Sequence, residues 1–388
     1  VGDDLLAELL TPPPGAGQAD ADQSPEPPAA PVSRRGDVWQ LGRHRIMCGD
    51  STLADDLARL MDGRKAALLH ADPPYGMGKE ADGVENDNLY GAKLDAFQMS
   101  WWRAARVHLV DNASAYIWGN APELWRLWWR GGLAESERMT MRNELVWRKW
   151  GGRMGEGSNT IRSYPPAGER CLFFMVGEQG FNTNADNYWE GWEPVRSYLH
   201  EQMQKAGWTV KDLNRITGTQ MGGHWVTRSQ WAMISRKHYE ALQVAARDHD
   251  AFKRDHDQLK RDHDQLKREF YGTRAHFDNT HDNMTDVWDF DVVYGEDRHG
   301  HATPKPVAMM ERVMRSSLPA GGLCLEPFSG SGSTLMGAER TGRICYTMEL
   351  TPQYVDVAVS RWQTYTGQRA THAGTGQPFP IAPEAVAA

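Results

Sequence analysis

The chain is poor in cysteine. Its 388 residues hold four, Cys48, Cys171, Cys324 and Cys345, and no two stand at a metal-ligand spacing. That argues against a zinc module or a disulfide framework and reads as reduced, buried thiols in a cytoplasmic protein, with no metal expected. No apolar run reaches membrane-spanning length and no signal peptide precedes the first polar residues, so no membrane association is expected. Val1 stands where Met would begin a chain, which points to a few missing residues or an unusual start. A basic surplus is also lacking. The net charge is −8, which taken alone argues against a nucleic-acid partner. The deficit is local, however. Residues 1–33 contain no Lys or Arg but hold Asp3, Asp4, Glu8, Asp20, Asp22 and Glu26, and setting these six acids aside leaves −2. A near-neutral domain can still carry a basic cleft.

What is present is length enough for one large α/β domain and a smaller one, with sixteen tryptophans, most of them expected in the core. Residues 11–33 are rich in Pro, Ala and Asp, and residues 1–35 read as a disordered acidic tail in which Asp4–Leu10 makes one short helix. Ordered structure begins near Gly36 with two short strands, Val38–Leu41 and His44–Cys48. Gly49-Asp50-Ser51 follows, then a helical spacing from Thr52 to Met61, so Asp50 or Ser51 could cap that helix.

Two stretches carry chemistry. Asp72-Pro73-Pro74-Tyr75 leaves an apolar strand, Ala66–Leu69. It offers a carboxylate, two prolines that donate no N–H and stiffen the turn, and a flat aromatic face. Acceptors beside a stacking surface suit an amino group on a flat ring, although Asp-Pro is also a common turn. The second stretch, Glu326-Pro327-Phe328-Ser329-Gly330-Ser331-Gly332-Ser333-Thr334, follows the strand Leu323–Leu325 and opens a helix. Glycines there let the backbone approach a ligand.

Together these motifs resemble the DNA amino-methyltransferases that use S-adenosylmethionine on exocyclic nitrogens. Asp-Pro-Pro-Tyr precedes the Gly loop, the permuted order of that family's β group. The resemblance covers residues 36–180 and 284–366. It implies an α/β fold: a seven-stranded Rossmann-like methyltransferase sheet, whose catalytic half is 36–180 and whose cofactor half is 284–366. It implies Asp72, Pro73 and Tyr75 as catalytic residues. It also implies cofactor contacts from Asp50 and Ser51 under the adenine, from Thr303 and Lys305 near the methionine carboxylate, and from Glu326, Phe328, Gly330, Gly332 and Thr334 in the loop. Glu349, closing the second strand of the cofactor half, stands where a ribose diol is commonly held. The stretch His301-Ala302-Thr303-Pro304-Lys305-Pro306 departs from the family at Ala302, where Pro is usual. No cysteine follows a proline, which removes the nucleophile of the cytosine-C5 enzymes.

Further elements read as a helix Lys93–Val110, strand Ser114–Trp118, helix Pro122–Trp129, and strands Asn143–Trp147 and Glu169–Val176. Residues 148–166 carry Arg148, Lys149, Arg153 and Arg162 against Glu156 alone, a net-positive loop suited to phosphate contact; with Pro74 these are the DNA-binding candidates. Residues 181–246 read as a helical insertion and the candidate for target recognition, with helices Pro194–Ala206 and Thr209–Thr217. Residues 247–267 repeat a heptad three times, with Phe252, Leu259 and Leu266 on one seam position and His249, His256 and His263 on the other. This predicts a heptad-repeat helix over 247–270, serving as a projecting antenna, a coiled-coil contact of a homodimer, an arm packed on the domain, or a solvated helix held by charge pairs. Histidines seven apart are about 10 Å apart along a helix, too far for one ion. Helices Val307–Leu318, Thr334–Arg340 and Gln353–Tyr365 complete the cofactor half, and 367–388 reads as a flexible tail.

The expected activity is direct transfer of a methyl group to N6 of a flipped adenine in double-stranded DNA, by a prokaryotic or phage enzyme, in a restriction-modification pair or alone. N4 of cytosine is the alternative, disfavoured because Ser rather than Asp tends to open that motif. A protein-glutamine methyltransferase would show Asn at position 72. RNA as substrate, and a retired methyltransferase fold that binds DNA without catalysis, complete the alternatives.

Overall fold

The computed structural model describes residues 20–76, 78, 85–129, 139–149, 167–177, 193–228, 231–282, 284–292 and 304–380. The chain divides into two units, Val1–Gly177 with Ala275–Ala388, and Glu178–Arg274.

The first unit is built on one mixed sheet. In chain order its strands are β1 Val38–Leu41, β2 His44–Cys48, β3 Ala66–Ala71, β4 Leu109–Gly119, β5 Met139–Arg148, β6 Gly168–Val176, β7 Val287–Asp289, β8 Leu323–Glu326, β9 Ile344–Glu349 and β10 Thr371–His372. They lie in the order β10-β1-β2-β9-β8-β3-β4-β6-β5-β7. A methyltransferase-like sheet of seven strands was expected. The sheet has ten because β1 and β10 extend one edge and β7 the other. From β2 to β4 every pairing is parallel, while β6 runs antiparallel to both β4 and β5.

Both faces of this sheet are covered, which explains the nearly unbroken apolar strands. Successive residues feed opposite cores: in β6, Cys171, Phe173 and Met175 join one, while Leu172, Phe174 and Val176 join the other. Helices α1 Ala54–Met61, α2 Ala92–Arg106 and α3 Ala121–Glu123, the last continued by a π-wound turn Leu124–Trp129, cover the second face. Trp101, Trp102 and Trp128 interlock there at ring separations of 5.4–6.1 Å, so the Trp-rich segment is core.

The second unit holds α4 Glu193–Lys205, α5 Val210–Thr217, α6 Gly222–Val226, α7 Arg236–Ala245 and α8 His256–Gly272 around its own core of Leu199, Leu213, Trp225, Tyr239 and Leu259. A capping box between Thr209 and Asp212 starts α5. Back in the first unit, α9 Val307–Ser317, α10 Ser333–Arg340 and α11 Pro352–Thr366 pack on the first face.

Four expectations are corrected. The helix expected to reach Val110 ends at Arg106, because the carbonyl of His108 accepts from Ala66 N–H and pulls the chain into β4. The tail expected from 1–35 is packed over residues 20–35. Buried Asp356 accepts the N–H groups of Val32 and Ser33, Arg361 donates to the carbonyl of Ala21, and Asp22 accepts from Val307 N–H. A Pro-rich strand has few partners of its own; here the helices supply them. The tail expected from 367 instead forms β10 against β1, and buried Phe379 meets Trp39 edge-on at 5.0 Å. Finally, the first heptad is not helical. Phe252 has φ +54 and stacks on Trp208 at 5.6 Å, and α8 begins only at His256. The seam residues His256 and Leu259 are buried within this unit and Leu266 packs against its core. The period-seven pattern is therefore satisfied inside one chain. The short helix expected at Asp4–Leu10 and the end of the tail, 381–388, lie outside the described residues.

Candidate active site

In the sheet order, chain direction reverses its progress between β8 and β3: β9 and β2 lie to one side, β4 and β6 to the other. Open α/β sheets bind ligands at such a point, outside the carboxyl ends of the strands. A cavity of about 290 Å³ opens there. The residues after β2 (Gly49 to Ser51), β3 (Asp72 to Tyr75) and β8 (Glu326 to Ser331), with Glu349 ending β9, all line it. Because β6 is antiparallel, its beginning, Glu169, reaches the same edge, and so does Lys149 just after β5.

Asp72 stands at the centre. Its Oδ2 accepts from Lys305 Nζ at 2.5 Å, whereas Oδ1 is buried and has no hydrogen-bond partner among the described residues. The turn that carries it is held from two sides. Asp87 Oδ1 accepts the N–H groups of Tyr75 and Gly76, each at 3.0 Å, and Gln98 Nε2 donates to the carbonyl of Pro74, also at 3.0 Å. Gln98 is itself oriented by the Trp101 indole, 2.6 Å from its Oε1. Burial, then the neighbouring Glu169, pushes the Tyr75 phenol well above its ordinary value, so Tyr75 meets a ligand as a neutral ring.

Lys305 lines the cavity. Its ammonium lies between Asp72 and Glu169 Oε2, 3.0 Å from the latter, and over the Trp118 ring at 4.9 Å. Burial pulls its pKa down, but Asp72 and Glu169 outweigh that and raise it above the usual lysine range. Glu169 is pushed up by burial and held down further by Lys305 and Lys149, and the net shift is downward. Thr303 lies outside the described residues.

The cofactor loop is built around Glu349. Gly330 N–H donates to its Oε2 and Thr351 N–H to its Oε1, both at 2.9 Å. Burial nevertheless raises Glu349 to about 7. Gly332 has φ +85, and a Cβ there would fall 2.9 Å from that of Ala358, so only glycine fits between the loop and α11. Thr334 lines the cavity, and its hydroxyl meets His70 Nδ1 at 3.0 Å and Met310 Sδ at 3.3 Å. Trp118 Nε1–H donates to His70 Nε2, which leaves Nδ1 as the donor toward Thr334. Glu326 Oε2 accepts from Thr347 and Phe328 lines the cavity, edge-on to Trp101 at 5.4 Å. Asp50 closes a turn by accepting from Thr52 N–H and Oγ1, and buried Ser51 lines the cavity. Neither caps α1, whose N-cap is Leu53.

The DNA candidates divide. Pro74 and Lys149 line the cavity, Lys149 pairing with Glu169. Arg148 instead forms a two-pronged pair with Asp289 at 2.6 and 2.7 Å, tying β5 to the edge strand β7. Arg153 and Arg162 lie outside the described residues. Asp87, Gln98, His70, Trp118 and Glu169 had no signal in the sequence, because none belongs to a motif and each is brought in by strand or helix placement.

A family profile described as DNA methylase matches residues 66–360. The chain belongs to this family. Among curated relatives, the chain is 38% identical over 85 residues to the type II methyltransferase M.ScaI of Streptomyces caespitosus, covering 20% of this chain and 28% of that one. It is 31% identical over 81 residues to the type II methyltransferase M.HpaI of Haemophilus parainfluenzae, covering 20% and 26%. The match thus spans about a quarter of each curated relative. The crystal structure of the M1.HpyAVI–SAM complex covers 81% of this chain and is itself 97% covered, at 13% identity and a TM-score of 0.44. This family uses S-adenosylmethionine. The cavity suits it: Ser329 Oγ is buried there without a partner among the described residues, and Gly330 and Glu349 line it. Among the described residues no group of three or more His, Cys, Asp or Glu could hold a metal, and no helix is long and apolar enough to cross a membrane.

Proposed function

We propose that this protein transfers a methyl group to N6 of an adenine flipped out of duplex DNA. The observation that carries this reading is Asp72 Oδ1, a buried acceptor with no hydrogen-bond partner among the described residues, which lines one cavity with Tyr75 and the glycine loop. S-adenosylmethionine supplies an electrophilic methyl group on a sulfonium, with Gly330, Gly332, Ser329 and Glu349 as its holders. Inside a duplex the amino nitrogen is out of reach, so the base leaves the stack at a cost of roughly a few kcal/mol. Tyr75 offsets part of this, since a base stacked on an aromatic ring gains about 1–3 kcal/mol.

The nitrogen's lone pair is delocalised into the ring, which makes it a poor nucleophile. Asp72 Oδ1 and the Pro73 carbonyl accept its two N–H bonds and favour a pyramidal nitrogen with its lone pair aimed at the methyl. The cofactor's sulfonium C–S bond would be exchanged for the new N–C bond, and the proton lost from the nitrogen would pass by way of Asp72 Oδ1, which accepts that N–H, to solvent. The fixed charge of Asp72 opposes the positive charge developing on nitrogen. The helical unit Glu178–Arg274 is our candidate for reading the target sequence, since it interrupts the two halves of the catalytic unit. A DNA substrate and four buried free thiols suit the cytoplasm.

The test is incubation with unmethylated duplex DNA and methyl-labelled S-adenosylmethionine, followed by nucleoside mass spectrometry. N6-methyladenine is expected. N4-methylcytosine would overturn the choice of base, and unlabelled DNA would overturn the reading itself. Asp72→Ala should abolish transfer while cofactor affinity stays within a few-fold of wild type.

A further inference from the structure

Asp72 and Glu169 end up at one edge of the sheet although they lie on strands separated by β4. Asp72 leaves the end of parallel β3, and Glu169 enters antiparallel β6. Lys305, in the segment before α9, spans that gap. Its Nζ is 2.5 Å from Asp72 Oδ2 and 3.0 Å from Glu169 Oε2, and its side chain is only 4% exposed. Trp118, on the intervening β4, lies under the ammonium at 4.9 Å. Among the described residues only one oxygen of Asp72 accepts a hydrogen bond, and the other is buried without one.

We propose that Lys305 is a positioning residue, which clamps Oδ2 of Asp72 so that Oδ1 faces the substrate amino group, and that Glu169 tunes the clamp by sharing the ammonium. The proposal rests on the reading of Asp72 as the acceptor for that amino group. The physical need is clear. A free carboxylate rotates about its Cβ–Cγ bond and would present its oxygens alternately, whereas one charge-assisted bond of 2.5 Å fixes the plane. An unshared lysine, however, would neutralise the acceptor it orients. Glu169 draws part of that charge away and is in turn held by Lys149. The result is an alternating row of charges, Asp72, Lys305, Glu169 and Lys149, in which Asp72 Oδ1 has no hydrogen-bond partner among the described residues. The role expected from resemblance, a partner for the cofactor carboxylate, would leave this row unexplained.

The charged and titratable groups around Asp72 are Lys305, Glu169 with Lys149 behind it, Cys171 on the same strand as Glu169, and Tyr75 and Asp87 on the loop of Asp72 itself. Removing the shared cation leaves two carboxylates facing each other, which favours protonation of one. Removing Glu169 instead leaves Asp72 the whole of Lys305.

The experiment measures S-adenosylmethionine affinity and the pH profile of kcat, at saturating duplex DNA, for wild type, Lys305→Met and Glu169→Gln. In Lys305→Met, kcat should fall about 10²-fold, the cost typical of a misplaced catalytic group. Its acid limb should move to higher pH, and cofactor affinity should stay within a few-fold of wild type. In Glu169→Gln the acid limb should move to lower pH. Opposite movements are the signature, because a merely structural lesion would not shift the two limbs in opposite directions. Loss of cofactor binding in Lys305→Met with an unmoved limb in Glu169→Gln would assign Lys305 to the cofactor and overturn the proposal; so would wild-type behaviour in both. Should Lys305→Met fail to fold, the limb of Glu169→Gln decides alone: moved down supports the clamp, unmoved overturns it. A wild-type protein that methylates no DNA would defeat the underlying reading, and the clamp would fall with it.

Discussion

Asp72 could be singled out by its neighbours in sequence, but its environment could not. The contiguous Asp-Pro-Pro-Tyr carries its own stiffness and chemistry, so it is readable in one line. Gln98, which fixes the Pro74 carbonyl from the facing helix α2, is one polar residue among many and becomes visible only when α2 is folded over the turn. Its removal is informative. Gln98→Ala leaves the buried Trp101 indole without its acceptor, and an orphaned buried donor costs about 1–3 kcal/mol. The expected outcome is a lower denaturant midpoint by that amount and a reduced kcat, with cofactor affinity unchanged. Wild-type kcat in Gln98→Ala would show that the turn holds its shape without α2.

Among the elements, β10 shows most plainly how a segment can be misread. Residues 371–380 contain two glycines, two prolines and few apolar residues, the composition of a tail. Yet Thr371–His372 adds to the edge strand β1, and the chain then turns so that Phe379 packs under it. A tail residue could be truncated freely. Phe379→Ala should instead destabilise the first unit by about 3–5 kcal/mol, as for other buried aromatic truncations, measured by chemical unfolding. The heptads left the partner of their seam open for the complementary reason. A period of seven reports a helix with one apolar stripe but not what covers the stripe. Here α8 lays His256, Leu259 and Leu266 on its own unit's core, and His263 meets Trp231 at 5.6 Å.

The catalytic unit as a whole is closed by a buried polar knot far along the sheet from the cavity. Glu339 on α10 accepts from His44 on β2 and Trp362 on α11, each at 2.9 Å, and pairs with Arg43. His44 Nδ1 accepts from Cys345 N–H, so its Nε2 is the donor to Glu339. Burial would raise Glu339, but the His44 hydrogen bond and the surrounding partners hold it down to about 2, below its ordinary 4.5. Burial also lowers His44 from 6.5. Both shifts act in one direction. The unfolded chain binds protons that the folded one refuses, so stability is full above about 6.5 and falls as pH drops toward 2. Glu339→Gln should flatten the part of this loss between 4.5 and 2 and lower stability at neutral pH, read from unfolding midpoints across that range. An unchanged acid profile in Glu339→Gln would show that the knot does not set acid stability.

Local patterns in this chain were enough to place most strands and helices of the catalytic unit, the glycine loop and the acidic turn, because each depends on neighbours a few residues away. Turn stiffness, strand alternation and glycine at a positive φ are properties of a short stretch. The strand count, the ordering of 20–35 and 367–380, the packing of α8 and the Asp72–Lys305–Glu169 row came only from the fold. Each depends on residues far apart in sequence: Lys305 is separated from Asp72 by 233 positions. Charge pairing and burial act through space, and only the closed sheet says which distant side chains share it.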